Sequence, residues 1–379
     1  MRLDLTGLTV GPSQEWGNIR LVPLLRDRPI EGLRLDARLY DDDMTIVDLD
    51  GRTSYLSYIP HGFVATWGED EVGAAYGTQL RGSKRPAVPH SRIAVKKRMA
   101  RRVATNRLRF LPLHLAIEGY LSLHFGGPTI AWESWSQQAI RRGLSPRVEQ
   151  AYSGGQVSGL SDALRVFEIL SDQCGVIVYV ADAFASAFVT PDARDYRALH
   201  PTLVRDLYGE LVWQYGLVAR PVPPVPVGWD DAYVDDLNDI RRNVTRLERE
   251  WESFHNDSMA VELLRSNEFS AERIYKLGTF TLSRFTPSFA RDTQSHVGEY
   301  ITDHKGRIAY LKTFKLSTAQ ARRGWTLNQL ADADWDLDRA AEAAGTSTSD
   351  MVNRLDRLGY GFLVREDLLH RFRGRRRAS

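Results

Sequence analysis

The chain has 379 residues, with 50 lysines and arginines against 48 aspartates and glutamates, for a formal net charge of +2. That length suggests two or three domains. A content of 43% apolar and 26% charged residues suits a folded chain and excludes a disordered one.

The single cysteine, Cys174, excludes an internal disulfide and a multi-cysteine zinc site. It stands beside the apolar run Gly175–Val180 and reads as a small buried hydrophobe, because a reactive thiolate needs an electropositive, partly exposed site. No stretch approaches the ~18–20 apolar residues of a membrane span. Met1–Thr6 lacks the apolar segment of a signal peptide. A cytoplasmic protein is expected.

In chain order, Gly17–Leu25 alternates polar and apolar residues, and Ser54–Ile59 is aromatic and β-prone. A charge asymmetry follows. Between Glu71 and Glu118 there is no acid, yet the window holds Arg81, Lys84, Arg85, Arg92, Lys96, Lys97, Arg98, Arg101, Arg102, Arg107 and Arg109. A positive field confined to one stretch of a near-neutral chain marks a face that meets an anion. Leu111, Leu113, Leu115 and Ile117 then alternate with other residues as a half-buried strand does. Val176–Val180 suits a fully buried strand. Tyr196–Tyr215 reads as a helix with Leu199, Leu203, Leu207 and Leu211 on one face.

The segment Arg220–Gly228 has four prolines within six residues and predicts a semi-rigid connector between independently folding parts. Beyond it, Leu237, Ile240, Val244, Leu247, Trp251 and Phe254 recur at spacings of three and four. This heptad-like stripe is expected to be buried, either on its own domain or in a dimerising coiled coil that makes a homodimer through 237–254. His296–Thr302 and Arg307–Phe314 predict a hairpin, with turn chemistry at Asp303–Gly306.

Near the C-terminus, Asp338–Ala344 is an Ala-rich helix stopped by Gly345. Ser and Thr at 346–349 supply a cap, and Asp350–Leu358 forms a second helix ended by Gly359. This spacing resembles the Fis-type helix–turn–helix of bacterial regulators. The second helix offers Asn353, Arg354 and Arg357 to a nucleic acid, while Asp350 and Asp356 oppose phosphates. The basic tail from His370 to Arg377 can grip phosphates. The other reading is a protein-docking unit.

No phosphate loop, dinucleotide fingerprint, His-Glu-x-x-His or Gly-x-Ser-x-Gly spacing is present, so no cofactor and no metal are expected. One resemblance covers roughly residues 5–217. Gly7–Pro12 with Gly17–Leu24, Gly77–Arg85, Leu111–Gly119 and Val180–Phe184 resemble the blocks of a bacterial family, ARPP, the ADP-ribosylglycohydrolase- and rhodanese-phosphatase-superfamily-associated proteins. The resemblance implies a place in ADP-ribose or NAD-linked metabolism and in conflict with phages, with proteins of the same operon as partners.

The expected architecture is α+β. It has an ARPP-like β-rich domain over 1–219, a linker at 220–228, and a long helix with a hairpin over 229–320. A Fis-like unit over 321–370 and a basic tail at 371–379 complete it. Two functions compete. One is a non-catalytic sensor or adaptor that binds a nucleotide or nucleic acid through Lys84, Arg85, Arg92, Lys96, Lys97, Arg98, Arg101 and Arg102. The other is a hydrolase of a phosphate or ADP-ribose linkage, with Glu118 and Asp182 as acid and base and Lys84 and Arg85 neutralising phosphate.

Overall fold

The computed structural model describes residues 5–36, 46–48, 54–56, 63–68, 73–76, 100–104, 107–110, 167–203, 216, 220–225, 228, 234–261, 263, 270–289 and 296–375. The fold is mixed α+β, with strands early and helices mostly late. The strands are β1 (Thr9–Val10), β2 (Gln14–Trp16), β3 (Ile19–Leu25), β4 (Leu33–Asp36), β5 (Ile46–Asp48), β6 (Ser54–Leu56), β7 (Phe63–Trp67) and β8 (Gly73–Tyr76), then β9 (Ala100–Ala104), β10 (Arg107–Phe110), β11 (Gln173–Val180), β12 (Ala183–Val189), β13 (Ser270–Leu277), β14 (Phe280–Thr286), β15 (His296–Thr302) and β16 (Ile308–Lys315). The helices are α1 (Ala193–Thr202), α2 (Leu237–Phe254), α3 (Thr318–Asp332), α4 (Leu337–Ala343), α5 (Thr348–Arg357) and α6 (Glu366–Arg375).

Nine strands form one antiparallel sheet in the order β1-β3-β11-β12-β16-β15-β14-β13, with β2 paired to β3. Its centre is the apolar run expected as a buried strand. Along β11, Val176 and Val178 point into one hydrophobic cluster, and Ile177 and Tyr179 into the other. That is the alternation of a strand covered on both faces. The first cluster joins Leu21, Phe188 and Tyr310 to Leu199 of α1, Leu327 of α3 and Leu355 of α5. The second gathers Val22, Leu311 and Tyr300 beneath Leu263 and Trp251. Cys174 is fully buried there, and burial raises its thiol pKa despite the nearby Arg26.

The proline segment does not part the sheet. β12 lies before it and β16 after it, yet the two pair from Ser186↔Phe314 to Val189↔Leu311. The segment itself is pinned to the β2–β3 hairpin. The Val222 N–H donates to the Gly17 carbonyl at 2.8 Å, and Arg20 Nη2 donates to the Pro223 carbonyl at 2.8 Å. Prolines supply carbonyls without N–H groups, so a buried guanidinium is the matching partner. Arg20 is 2% exposed. It also donates from Nε to Asp182 Oδ1 at 2.8 Å and from Nη1 to Ser13 Oγ at 3.0 Å, and it pairs with Glu15.

A charged row crosses the other end of the sheet. The register aligns Glu272 with Arg284, Arg284 with Glu299, and Glu299 with Lys312. Its inner pair, Lys312–Glu299, closes to 2.5 Å with both side chains buried. Burial lowers the Lys312 pKa, and Glu299 opposes that shift. The expected hairpin forms at β15–β16. Its turn is held by Asp303, whose carboxylate accepts from the N–H groups of Lys305 and Arg307.

Two expectations meet a different arrangement. Within one chain the stripe on α2 is open, with Leu237 71% and Phe254 48% exposed; Trp251 turns inward and donates from Nε1 to the Gly11 carbonyl at 2.8 Å. The stretch expected to begin a basic tail at 371 instead continues a helix, α6, as far as Arg375. Leu207 and Leu211 of the leucine face, and the strand expected at 111–118, lie outside the described residues.

A chain truncated after Arg220 would lose β13–β16, exposing the β12 edge and both hydrophobic clusters. It is expected to aggregate or to melt without cooperativity; a soluble, cooperatively melting fragment would contradict the shared sheet. Lys312→Met strands the Glu299 carboxylate in the core and is expected to cost about 3–5 kcal/mol in denaturant titration, whereas Lys312→Met with Glu299→Leu recovers most of the loss. Burial also pushes the imidazole pKa of His200 down to about 4 and that of His296 to about 3, where Lys315 adds to the shift. The unfolded chain therefore takes up protons first. Stability is full above pH 6.5 and is lost as pH falls towards 4. At His200 this is worth up to about 3 kcal/mol, and the thermal melt of His200→Gln is expected to fall less steeply over that range.

Candidate functional site

The last four helices build a cleft from strong local signals. Ser317 caps α3 in a reciprocal pair with Gln320. Asp336 caps α4, and Ser347 caps α5 by accepting from the Asp350 N–H. Each of α4 and α5 ends at a glycine with positive φ, Gly345 at 61° and Gly359 at 86°. After each, a six-to-one bond closes the helix: the Thr346 N–H to the Ala341 carbonyl, and the Tyr360 N–H to the Leu355 carbonyl. The Thr348 hydroxyl donates to Asp338 Oδ1 at 2.5 Å and ties the start of α5 to α4.

These stops fix the rotation of α5. Met351, Val352 and Leu355 are buried and belong to the first hydrophobic cluster. By helical spacing Asp350, Arg354 and Arg357 then share the other side. Arg354 packs on α3, with its guanidinium carbon 5.2 Å from the centroid of the Trp325 ring. Arg323 Nε donates to the Leu358 carbonyl at 3.2 Å and closes the C-terminal end of α5. A cavity of about 380 Å³ opens here, lined by Thr346, Asp350, Arg354, Arg357 and Leu358. Arg354 Nη1 is buried and has no hydrogen-bond partner.

The electrostatics of the cleft favour an anion. Arg354 and Arg357 stand in the last turn of α5, where they also offset the helix dipole. The acid in the lining, Asp350, accepts from the Ser347 hydroxyl at 2.7 Å, so part of its charge is already engaged. A planar guanidinium held over an indole beside a second arginine suits a phosphate or carboxylate oxygen. Cation–π packing on the indole also limits the rotamer freedom that such binding would otherwise cost.

The other sequence candidates are dispersed. Lys84, Arg85, Arg92, Lys96, Lys97, Arg98 and Glu118 lie outside the described residues. Arg101 and Arg102 are on β9, and pairing with β10 sets Arg101 opposite Arg109 and Arg102 opposite Leu108. Asp182 is in the tight turn joining β11 to β12, with a φ of 60°, and its carboxylate is held by Arg20. Asn353 is half-buried on α5. Trp325 was missed by sequence reasoning. Its signal was weak: one aromatic beside Arg322, Arg323 and Gly324, in a helix with no apolar repeat.

Among the described residues, no group of three or more His, Cys, Asp or Glu side chains is placed to hold a metal ion. No described helix is long and apolar enough to cross a membrane. No curated protein and no solved structure matches the chain. The ARPP-2 family model does match, over residues 3–278, a span that runs through the proline segment and ends just after β13. With well over half of its length covered, from the first strand to the far edge of the sheet, the chain belongs to the ARPP-2 family.

Proposed function

We propose that this ARPP-2 protein is a non-catalytic adaptor that binds the phosphates of a nucleic acid, through the α5 cleft and the arginine-bearing β9–β10 ribbon. The carrying observation is Arg354, packed over Trp325 in the lining of a cleft that also holds Arg357. Two further features support the reading. The lengths and glycine stops of α4 and α5 suit the Fis-type helix–turn–helix that the sequence resembles, with α5 as the helix that meets the nucleic acid. The β9–β10 register sets Arg101 opposite Arg109, two arginines at one position of the ribbon.

Hydrolysis is the weaker reading. Asp182, the described member of the expected acid–base pair, has its Oδ1 engaged by a buried arginine that serves the fold. The adaptor reading also fits the setting that the ARPP resemblance implies, a bacterial ADP-ribose-linked or phage-defence system. Binding is expected to be modest in affinity and strongly dependent on salt, because phosphate contacts dominate it and the Asp350 carboxylate opposes it.

The test is fluorescence anisotropy of the full chain with labelled duplex DNA, single-stranded RNA and ADP-ribose over a salt series. Arg354→Ala with Arg357→Ala is expected to weaken nucleic-acid binding at least tenfold. It should also flatten the salt slope by about 1.8, from roughly 0.9 per phosphate contact. Arg354→Lys keeps the charge without the planar fork, so it is expected to restore only part of the affinity. Unchanged affinity in a folded double variant would overturn the assignment. Tight binding of ADP-ribose alone would move it from an adaptor of nucleic acids to a nucleotide sensor.

A further inference from the structure

The large hydrophobic residues exposed among the described residues are Leu237, Ile240, Val244 and Phe254. All four lie on α2, and all four belong to its heptad stripe. The helix is anchored at its C-terminal end. There Trp251 Nε1 bonds the Gly11 carbonyl, and His255, in the π-helical turn that follows (His255–Met259), meets the Tyr179 hydroxyl at 2.8 Å. The other end is the more open, with Leu237 71% exposed. An 18-residue helix is about 27 Å long, long enough to carry six core positions of a coiled coil. An apolar stripe confined to one helix and standing in solvent marks an interaction surface.

The sequence of the stripe states its partner. Leu237, Val244 and Trp251 take the first heptad position; Ile240, Leu247 and Phe254 take the fourth. Laid antiparallel on a second copy, the helix pairs Leu237 with Phe254 and Val244 with Leu247, and then the same pairs in reverse, while Ile240 meets only the outer edge of Trp251, whose indole is held by its own chain at Gly11. Each layer matches one first-position residue with one fourth-position residue, as antiparallel packing requires. A two-fold axis falls between Val244 and Leu247, so the contact closes on itself.

The flanking charges agree with this register. Arg241 and Glu248 both follow a fourth-position residue, so each faces the other across the dyad, and the attraction occurs twice. Glu248 has no ion-pair partner of its own among the described residues. Arg241 makes only a contact of 3.5 Å to Asn238. Opposed helix dipoles add to the match.

We infer that α2 is a self-association surface, and that two copies of this chain pair antiparallel along it with Arg241 of each facing Glu248 of the other. The inference does not rest on the nucleic-acid reading; it is tested without any ligand.

The measurement is sedimentation velocity of the full chain over a concentration series. A dimer is expected. Val244→Asp should turn it into a monomer that still melts cooperatively, since Val244 is 41% exposed within one chain. Arg241→Glu alone sets acid against acid twice, and Glu248→Arg alone sets base against base twice. Each is expected to weaken the dimer at least tenfold. Mixing the two single variants should restore association as a heterodimer, and Arg241→Glu with Glu248→Arg in one chain should restore the homodimer. A parallel pairing would bring Arg241 near Asp236 instead, so neither rescue would occur, and their failure would overturn the register. A wild-type chain that stays monomeric at 100 micromolar (roughly the concentration at which even a weak dimer forms), or a dimer untouched by Val244→Asp, would overturn the surface itself.

Discussion

The fold depends on one edge-to-edge contact, the pairing of β12 with β16. These strands are separated by the proline segment and by α2, yet their ladder turns two blocks of strands into one sheet. The loop-closure cost of so distant a pairing grows only slowly with length, and the contact gains more than its own hydrogen bonds. The Ser186 hydroxyl donates to the Thr313 carbonyl across the seam. Arg26 crosses the same boundary to the Ile308 carbonyl. Both hydrophobic clusters draw members from each side of the seam. At about 1.5–3 kcal/mol for each large side chain fully buried, this shared burial outweighs the few polar links. Those polar links decide register more than total stability.

Once the sheet is continuous, the proline segment has to run along the molecule. It has few N–H groups to offer a neighbour, so its docking relies on carbonyls meeting buried donors. Arg20 fills that role while also holding Ser13, Glu15 and the Asp182 turn. One guanidinium thus ties the opening hairpin, the tip of the central hairpin and the segment that leaves the first block. A buried arginine with four partners is costly to desolvate, and here each fork is engaged. The same logic explains Asp182 without any catalytic role. An Asp tolerates the left-handed backbone of a two-residue turn, and its carboxylate supplies the acid that Arg20 needs.

Much of this was legible in the sequence. Alternation over Gly17–Leu25 gave β3, the continuous apolar run Val176–Val180 gave β11, and the runs flanking the turn residues gave β15 and β16. Asp303 and Gly306 gave the hairpin turn, and Gly345 and Gly359 gave the ends of α4 and α5, because these are local rules. The sheet across 220–228 left no local trace, since strand pairing at a distance is decided by tertiary contact. β13 and β14 were hidden by their own charges: Glu272 and Arg284 occupy positions where an apolar alternation would have been read, and they are tolerated because they face each other. The stripe on α2 was read correctly as a stripe. Periodicity alone does not say whether its partner belongs to the same chain. Arg354 was named as a candidate for its place on α5, but its seat on Trp325 depends on how α3 crosses α5, which spacing does not encode.

The cleft is continuous with the core rather than appended to it. Trp325 lies on α3, two residues before Leu327 and five before Leu330, both in the first hydrophobic cluster. Arg354 immediately precedes Leu355 of the same cluster on α5. The helices that bear Trp325 and Arg354 therefore share one hydrophobic cluster with the sheet. That arrangement gives the site its rigidity: the Arg354 guanidinium is placed by packing that the whole fold maintains, so little ordering is left for a ligand to impose. It also ties ligand to fold in the other direction. If, as proposed, an anion bridges Arg354 and Arg357 in the folded chain, it stabilises that chain by mass action in proportion to the logarithm of its concentration over its dissociation constant. On that proposal, occupancy of the cleft and integrity of the fold are linked, because the helices bearing Trp325 and Arg354 share the first hydrophobic cluster with the sheet.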